Sequence, residues 1–313
     1  MMPHWTDSLT NVSDSVRQRL RNVSRETNET MQVVLIRYAT ERLMYRLSLT
    51  KYRDRFILKG AWLFYVWGIP RRTTRDVDFL ASFKNTTEAV RDFFTEVLQV
   101  PVPHNDGLTF DPASVQAEEI QLDAEYSGVR VRLTAMLGRT EIPTQIDLGF
   151  SEAVVEEPVR AALPVLLDFE APELKAYSPE VVVAEKLEAI VKLGTVTTRF
   201  KDFFDLYILS NEKAFDASML VRQVTATFAH RGTAATGDLP VALTDDFARN
   251  PEGQRQWEAF LRRNDVVGAP ELFSDAVGRV RDFVFPILQA AAQEGGFLEE
   301  SWSPRGGWIH LEG

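Results

Sequence analysis

Apolar residues recur at helical intervals near the beginning of the chain and through most of its second half. Residues 12–25 and 29–50 are predicted to be helices, because the apolar side chains of each stretch fall on one face. Ser178-Pro179-Glu180 is typical of a helix start and Gly194 of a helix end. The pattern predicts further helices near residues 199–210, 216–230, 251–264 and 270–293.

The middle of the chain alternates apolar and polar residues with the period of β-strands. Val77 and Phe79 alternate with Asp76 and Asp78, which predicts a strand. Three later strands are predicted at about 120–126, 129–137 and 142–150. A Ser127-Gly128 turn joins the first two of these, and the three strands form an antiparallel meander.

Two helices are predicted on either side of the Asp76 strand. One is short and apolar, from Leu58 to Trp67 with Gly60 opening it, and the other is Glu88–Val100 after an Asn85 capping box. These elements predict an α+β fold: a mixed or antiparallel sheet with flanking helices, plus a helical C-terminal domain. We predict a helical arm at 1–50, an α/β core at 51–165 and the helical domain at 166–313, with an irregular tail from residue 295.

Composition narrows the classes of function. The 313 residues include no cysteine, which excludes disulfides, thiolate metal sites and a cysteine nucleophile. There is no apolar run of roughly 18 residues and no signal-peptide pattern, so a cytoplasmic protein without membrane contact is expected. The four histidines are scattered, without metal-ligand spacing. No Walker-type loop, nucleophile elbow or dinucleotide-binding glycine motif occurs.

The net charge of -10 conceals an asymmetry along the chain. Residues 1–75 hold 14 Lys and Arg against 6 Asp and Glu, whereas residues 76–313 hold 21 against 39. A basic segment on an acidic body suggests a surface for a polyanion such as RNA. The alternative interpretation is that solvated helix faces carry the arginines.

Acidic residues on two predicted strands are the first candidates for chemistry. Residues two apart on a strand share a face, so Asp76 and Asp78 project together while Val77 and Phe79 enter the core. Asp147 adds a third carboxylate on the polar face of a neighbouring strand. Such carboxylates repel one another unless a hard cation such as Mg²⁺ joins them, and three of them form the ligand set of a two-metal nucleotidyl-transfer site. The alternative is polar residues on solvated strand surfaces.

Basic and glycine residues lie just before this strand in the sequence. Lys59-Gly60-Ala61 opens the predicted apolar helix, where free backbone N–H groups and the helix dipole suit a phosphate. Arg71, Arg72 and Arg75 immediately precede Asp76 and are suited to pairing with phosphate or RNA. Taken alone, each feature favours a structural role over a catalytic one.

Charged residues interrupt the apolar faces of two consecutive predicted helices. On a helical wheel Lys186 falls within the apolar arc of its helix, and Asp202 falls between leucines on the next helix with Asp205 close by. A lysine and carboxylates placed in this way need partners of opposite charge. They form either a functional pair or a buried salt bridge.

Four segments, taken in order, resemble the AbiEii/AbiGii-type toxin nucleotidyltransferases, a branch of the polymerase-β-like nucleotidyltransferase superfamily. They span residues 58–206 and read Leu58-Lys59-Gly60-Ala61, Arg72-x-Thr74-x-Asp76-x-Asp78, Ala184-Glu185-Lys186-Leu187-Glu188-Ala189 and Arg199-x-Lys201-Asp202-x-x-Asp205-Leu206. Asp147 occupies the place of the superfamily's third carboxylate. The family tends to have Gly-Gly or Gly-Ser where this chain has Gly60-Ala61, so a hydroxyl contact to phosphate is absent here.

The resemblance implies a nucleotidyltransferase-type fold and a toxin of a bacterial toxin–antitoxin or abortive-infection system, with an antitoxin encoded nearby. Such proteins transfer a nucleoside monophosphate from an NTP to an acceptor, in some relatives the 3′ end of tRNA, which blocks translation. The implied Mg²⁺ ligands are Asp76, Asp78 and Asp147, with Lys186 reaching phosphate and Asp202 either orienting Lys186 or contacting the nucleotide. The implied nucleotide-binding residues are Lys59, Gly60, Ala61, Arg72, Thr74 and Asp205.

Two other functions are compatible with the same residues. The first is a nucleotidyltransferase whose acceptor is a small hydroxyl compound, which leaves no role for the basic segment. The second is a nucleotide-binding regulator without catalytic activity.

Overall fold

The computed structural model describes residues 4–7, 9–69, 72–121, 127–150, 158–194, 199–264, 266, 268–293, 296 and 300–310. Its described residues group into two compact units. The first, here called the sheet unit, consists of the described residues within 1–67, 74–152 and 158–176. The second, here called the helical unit, consists of the described residues within 68–73 and 177–313. The division at residues 50 and 165 stays a prediction.

A single mixed sheet organises the described part of the sheet unit. Its strands are β1 (Phe56–Lys59), β2 (Asp76–Ala81), β3 (Leu108–Phe110), β4 (Gln116–Gln121), β5 (Ser127–Leu137), β6 (Thr140–Phe150), β7 (Val159–Ala162) and β8 (Glu173–Ala176). The helices of this unit are α1 (Val12–Thr27), α2 (Met31–Ser48), α3 (Trp62–Val66) and α4 (Thr87–Leu98). The two predicted N-terminal helices are therefore confirmed.

The strand order among the described residues is β3-β5-β6-β2-β1-β8-β7, with β4 also paired to β5. β2 runs parallel to β6 and β1 parallel to β8, while the other pairs are antiparallel. This arrangement confirms the predicted α+β class with a mixed sheet and flanking helices. The β4-β5-β6 meander is antiparallel as predicted, but the predicted turn is wrong because Ser127 and Gly128 belong to β5 and pair with Gln121 and Ile120. Residues 122–126 of the predicted strand lie outside the described residues.

The predicted apolar helix from Leu58 to Trp67 is wrong in its first half. Leu58 and Lys59 end strand β1, which lies between β2 and β8, and the helix α3 starts only at Trp62. A central strand that is covered on both faces shows a continuous apolar run, and a run of this length carries no period that would separate strand from helix. The cap of α4 also differs, since Thr86 rather than Asn85 accepts from the Ala89 N–H.

The helical unit confirms the helices predicted for the second half of the chain. They are α5 (Pro179–Leu193), α6 (Phe200–Glu212), α7 (Ala217–His230), α9 (Pro251–Asn264) and α10 (Phe273–Ala291). The short helix α8 (Asp245–Ala248) was not predicted. The Ser178 hydroxyl accepts from the Val181 N–H, and Gly194 ends α5 with a positive φ of 52°, so both signals for α5 act as predicted. None of the described helices is long and apolar enough to span a bilayer.

The irregular tail predicted from residue 295 is wrong for the part that the structure describes. Strands β10 (Glu300–Ser303) and β11 (Gly307–His310) form a hairpin that pairs with β9 (Phe215–Asp216). The Trp302 ring is buried, and its indole N–H donates to the Ser210 carbonyl at 2.7 Å. Each strand of this hairpin has only four residues, which is too short for a clear alternation of apolar and polar residues. The sequence pattern therefore does not reveal these two strands.

Helix α2 buries charge inside the sheet unit. Arg46 donates to both carboxylate oxygens of Asp106 at 2.7 and 3.2 Å, and Arg42 approaches the same carboxylate at 3.4 Å. Glu41, fully buried next to Arg42, accepts from the Leu166 N–H at 2.8 Å. Burial raises the pKa of Glu41 to about 7, against the opposing influence of Arg42.

This buried carboxyl predicts a pH-dependent stability. Glu41 binds a proton more tightly in the folded protein, so it opposes folding progressively as the pH rises from 4.5 to about 7. We expect Glu41→Gln to remove roughly 3 kcal/mol of the fall in unfolding free energy across this range, since its amide oxygen can still accept from Leu166. Urea unfolding at several pH values measures the unfolding free energy of each protein, and Glu26→Gln, at an exposed residue, is the control. Identical pH profiles for the wild type and Glu41→Gln would contradict the prediction.

Candidate active site

Strand β2 carries the first group of predicted site residues. Asp76 and Asp78 are half-buried on one face of β2, while Val77 and Phe79 are buried on the other. Because β2 pairs in parallel with β6 in a register that matches Asp78 to Asp147, the structure brings all three predicted carboxylates to one face of the sheet. We call Asp76, Asp78 and Asp147 the acidic face.

Asp147 is bound by an arginine of the neighbouring strand. The Arg130 guanidinium donates to both Asp147 oxygens, at 2.8 and 2.7 Å, and Gln145 approaches one of them at 3.3 Å. The hydrogen bond with Asp147 raises the pKa of Arg130, so this guanidinium stays charged. Asp147 is 5% exposed, and a bidentate pair of this kind orients the carboxylate firmly. Any cation at the acidic face would share Asp147 with Arg130 or displace it.

Sequence reasoning did not find Arg130. On β5 it lies opposite Asp147 in register, between the buried residues Val129 and Val131. The sequence signal that was available is that Arg130 interrupts a run of apolar residues, between Val129 and Val131. The pairing of β5 with β6 was predicted, but the register was not, and only the register identifies the partner of Asp147.

Asp76 and Asp78 are positioned by the residues before them in the chain. The Thr74 hydroxyl donates to the Asp76 carboxylate at 2.7 Å, which gives Thr74 a contact with the acidic face. Gly60 adopts a positive φ of 72°, and a Cβ atom there would lie 2.1 Å from the Asp78 carboxylate oxygen. Glycine is therefore required at residue 60 for the approach of Asp78 as well as for its backbone conformation.

Lys59 and Ala61 flank this glycine. Lys59 is the register partner of Asp78 across the antiparallel β1·β2 pair. Ala61 precedes α3, which has only five residues and no side-chain cap. The Gly60 carbonyl accepts from the Leu63 N–H, so the helix starts directly after Gly60-Ala61, close to the predicted start. The phosphate-binding role of Lys59 at the end of β1 and of Gly60 and Ala61 before α3 stays a prediction.

The helical unit contains the second group of predicted residues. The Lys186 ammonium lies 2.9 Å from an Asp202 oxygen and 2.7 Å from an Asp205 oxygen. Arg199 pairs with Asp202 at 2.7 Å, and Arg72 lies 3.6 Å from Asp205. These five residues are called the Lys186 cluster. They confirm the helical-wheel prediction that Lys186 and Asp202 need partners of opposite charge; Asp202 is buried and Lys186 is half-buried.

Burial and charge oppose each other in the Lys186 cluster. Burial by itself lowers the pKa of Lys186, but Asp202 and Asp205 outweigh it and raise that pKa above its usual value. For Asp202, burial raises the pKa, and the nearby cations, Lys186 first, reverse the effect and lower it. The Lys186 ammonium therefore remains protonated at neutral pH and is suited to neutralising an anion rather than to accepting a proton.

Two histidines that are distant in sequence meet in the sheet unit. The rings of His4 and His104 stack with centroids 4.4 Å apart, and the ligand-type atoms of these two and Asp7 lie within 4.8 Å of one another. The expectation of scattered histidines is wrong for this pair. Both His4 nitrogens have partners, the Thr6 hydroxyl at 2.8 Å and the Asp168 carbonyl at 2.7 Å, so the contact anchors the beginning of the described chain.

Carboxylates that share one face of a sheet are oxygen ligands of the kind that a divalent cation prefers. The family model described as nucleotidyl transferase AbiEii toxin, type IV TA system, matches residues 42–279. The chain therefore belongs to the AbiEii family of nucleotidyltransferase toxins from type IV toxin–antitoxin systems.

No curated protein matches the chain. Two solved structures are similar to it. JHP933 from Helicobacter pylori gives a TM-score of 0.43 at 14% identity over 82% of this chain and 91% of its own. A candidate nucleotidyltransferase from the same organism gives a TM-score of 0.40 at 15% identity, covering 80% of this chain and 91% of its own.

The close approach at Gly60 predicts a costly substitution. Gly60→Ala and Gly68→Ala both place alanine at a positive φ, which costs about 1 kcal/mol each. Only Gly60→Ala also drives a Cβ atom into the Asp78 carboxylate, because nothing lies within 4 Å of a Cβ at Gly68. We expect Gly60→Ala to cost about 1–3 kcal/mol more than the Gly68→Ala control in urea unfolding. An equal loss of unfolding free energy in the two variants would contradict the close approach of Asp78 to Gly60.

The Lys186 cluster predicts a second stability difference. Lys186→Met leaves two buried carboxylates without their shared ammonium and is expected to cost about 3 kcal/mol. The exposed Lys192→Met on the same helix is the control and is expected to change stability by less than about 0.5 kcal/mol. Urea unfolding compares the two variants, and similar small losses for both would show that Lys186 is not needed to bury these carboxylates.

Proposed function

We propose that this protein is a Mg²⁺-dependent nucleotidyltransferase that transfers a nucleoside monophosphate from an NTP to an RNA acceptor, the 3′ end of tRNA, and so blocks translation. The family membership supports nucleotidyl transfer and a toxin–antitoxin context. The observation that carries the proposal for the site is the parallel β2·β6 register, which sets Asp78 beside Asp147 with Asp76 on the same face.

The chemistry of the donor set fits a divalent cation. Carboxylate oxygens are the ligands that Mg²⁺ prefers, and Asp76, Asp78 and Asp147 supply three of them on one sheet face. When bound, the cation would neutralise the triphosphate and activate the acceptor hydroxyl. Thr74 orients Asp76, and Arg130 orients Asp147, so both carboxylates already have a defined direction.

The chain's own residues supply positioning and charge. In the proposed reaction the acceptor oxygen forms a bond to the α-phosphorus, the bond to pyrophosphate breaks in line, and the hydroxyl proton is released to solvent. Lys186, which stays protonated, would bind a phosphate, while Asp202 and Asp205 hold its ammonium in place. Arg72 would bind phosphate beside Asp205, and Lys59, Gly60 and Ala61 would contact the nucleotide from the loop after β1.

Acceptor binding is assigned to the exposed part of the basic N-terminal segment. Arg42 and Arg46 are buried against Asp106 and are not available to RNA. Arg21 and Arg25 on α1 are exposed, as is the turn that contains Lys51, Arg53 and Arg55. The exposed arginines and lysines, rather than the whole excess of positive charge, would contact the RNA backbone.

The toxin–antitoxin context supports a cognate antitoxin that is encoded nearby and prevents the transfer in the producing cell. A toxin that modifies tRNA acts where translation occurs, so we place the protein in the cytoplasm.

Replacing one carboxylate tests the site. Asp76→Ala is expected to abolish transfer of label from NTP to bulk tRNA while the protein stays folded, because a ligand of the divalent cation is lost. The exposed Asp92→Ala on α4 is the matched control and should keep full activity. Each labelled NTP is incubated with Mg²⁺ and total RNA, the products are sized, and chelation with EDTA is expected to stop the reaction.

Each outcome of this assay has a distinct meaning. Undiminished labelling by Asp76→Ala would refute the site assignment. Label in a small product rather than in RNA would favour a small hydroxyl compound as acceptor. Unchanged NTP with every RNA would favour a nucleotide-binding regulator.

A further inference from the structure

A cavity of about 550 Å³ opens in the helical unit between the start of α6 and the end of α9. Four of its lining residues are cations, Arg72, Arg199, Lys201 and Arg263, and none of the described lining residues is acidic. In a chain with a net charge of -10, a cavity lined by four positive charges is unexpected for a surface without a ligand.

The two carboxylates behind the cavity wall do not balance its charge. Asp202 pairs with Arg199 and Asp205 lies near Arg72, but both carboxylates also bind Lys186. Lys201 and Arg263 make no ion pair with any residue that the structure describes, so their charges add to an already positive wall. The Nε of Arg72 lies 3.6 Å from an Asp205 oxygen, so part of the Arg72 charge is directed at this carboxylate.

The titration of Lys201 agrees with this surplus. The Lys201 side chain as a whole is exposed, but partial desolvation of its ammonium lowers its pKa, and Lys186, Arg199 and Arg72 lower it further, against the opposing influence of Asp202. An anion in the cavity would act in the opposite direction and favour the protonated form.

The shape and composition of the wall indicate which anion fits. Guanidinium groups bind phosphate oxygens in pairs, and three arginines face this cavity. Phe260 is half-buried in the same wall, with its ring stacked on Trp257 at 5.5 Å, and offers an aromatic surface next to the cations. Cations that neutralise phosphates next to an aromatic ring are the combination that binds nucleotides and single-stranded RNA.

We propose that this cavity binds the phosphate groups of a nucleotide ligand, with Lys201 and Arg263 as its principal contacts. The ligand is either the triphosphate of the NTP or the phosphodiester backbone at the end of the acceptor RNA. This inference rests on the proposed function for the identity of the ligand, but the binding itself does not require transfer to occur.

The double variant Lys201→Gln/Arg263→Gln tests the site. Fluorescence anisotropy would follow a labelled single-stranded RNA of about 20 nucleotides, with each NTP and tripolyphosphate as competitors, from about 50 to about 200 mM KCl. We expect the double variant to weaken binding of at least one of these phosphate ligands by about 10-fold or more. If the RNA is the ligand, losing two contacts should also reduce the slope of log affinity against log salt by about 1.4.

Arg262→Gln provides a control of the same charge on the adjacent residue. Arg262 is exposed, lies 3.9 Å from Glu258 and does not line the cavity. Its substitution is expected to change each affinity by less than about 2-fold, since an isolated exposed charge contributes little. Circular dichroism of all variants confirms that they are folded.

The competitors separate the two sources of phosphate. Loss of RNA binding with unchanged NTP and tripolyphosphate binding would assign the cavity to the RNA backbone. Weaker binding of both NTP and tripolyphosphate would assign it to the triphosphate. Variants that bind every ligand as Arg262→Gln does would overturn the proposal.

This experiment tests phosphate binding by the cavity independently of nucleotidyl transfer. The titrations are repeated in the Asp76→Ala protein, in which no transfer is expected. A cavity that binds phosphate as proposed, in a wild-type protein that transfers no label, would refute the proposed function and leave this inference standing.

Discussion

In the sheet unit, β2 and β6 run parallel in a register that matches Asp78 to Asp147, with Asp76 two residues away on the same face. Two like charges about 4 Å apart repel by about 4 kcal/mol at the dielectric found near a protein surface, so this register needs compensation. The fold supplies it locally. Arg130 on β5 takes both oxygens of Asp147, the Thr74 hydroxyl binds Asp76, and the missing side chain of Gly60 makes room for Asp78.

Both units bury carboxylates against arginine or lysine, but with different results. In the sheet unit, Arg46 and Arg42 surround the single carboxylate of Asp106, and every one of these side chains is buried. In the helical unit, Asp202 and Asp205 share Lys186 behind a wall whose other cations line an open cavity. Burying a charge costs free energy that a partner must offset. The first network balances its carboxylate with two guanidinium groups, whereas the second leaves positive charge on the cavity wall.

The distribution of charge is more informative than its total. The basic first 75 residues suggested a surface for RNA, yet the structure buries Arg42 and Arg46 in the core of the sheet unit. Conversely, most of the helical unit belongs to the acidic part of the chain, and this part still contributes three of the four cations around one cavity, Arg199, Lys201 and Arg263. Sequence counts sum charges over segments, whereas a ligand responds only to charges that share a surface.

The sequence by itself determined the elements whose residues have a clear period or a strong cap. The alternation from Asp76 to Ala81 identified β2 and its polar face, and Ser178 and Gly194 delimited α5. The helical wheels identified Lys186 and Asp202 as charges on the apolar faces of their helices. Only the tertiary structure decided that Leu58 lies in a central strand, that Arg130 binds Asp147 and that Arg72, Lys201 and Arg263 share a cavity. The physical reason is that period and capping act between residues within one or two turns of each other. Strand order, register and charge pairing depend on contacts between distant segments, which no local pattern encodes.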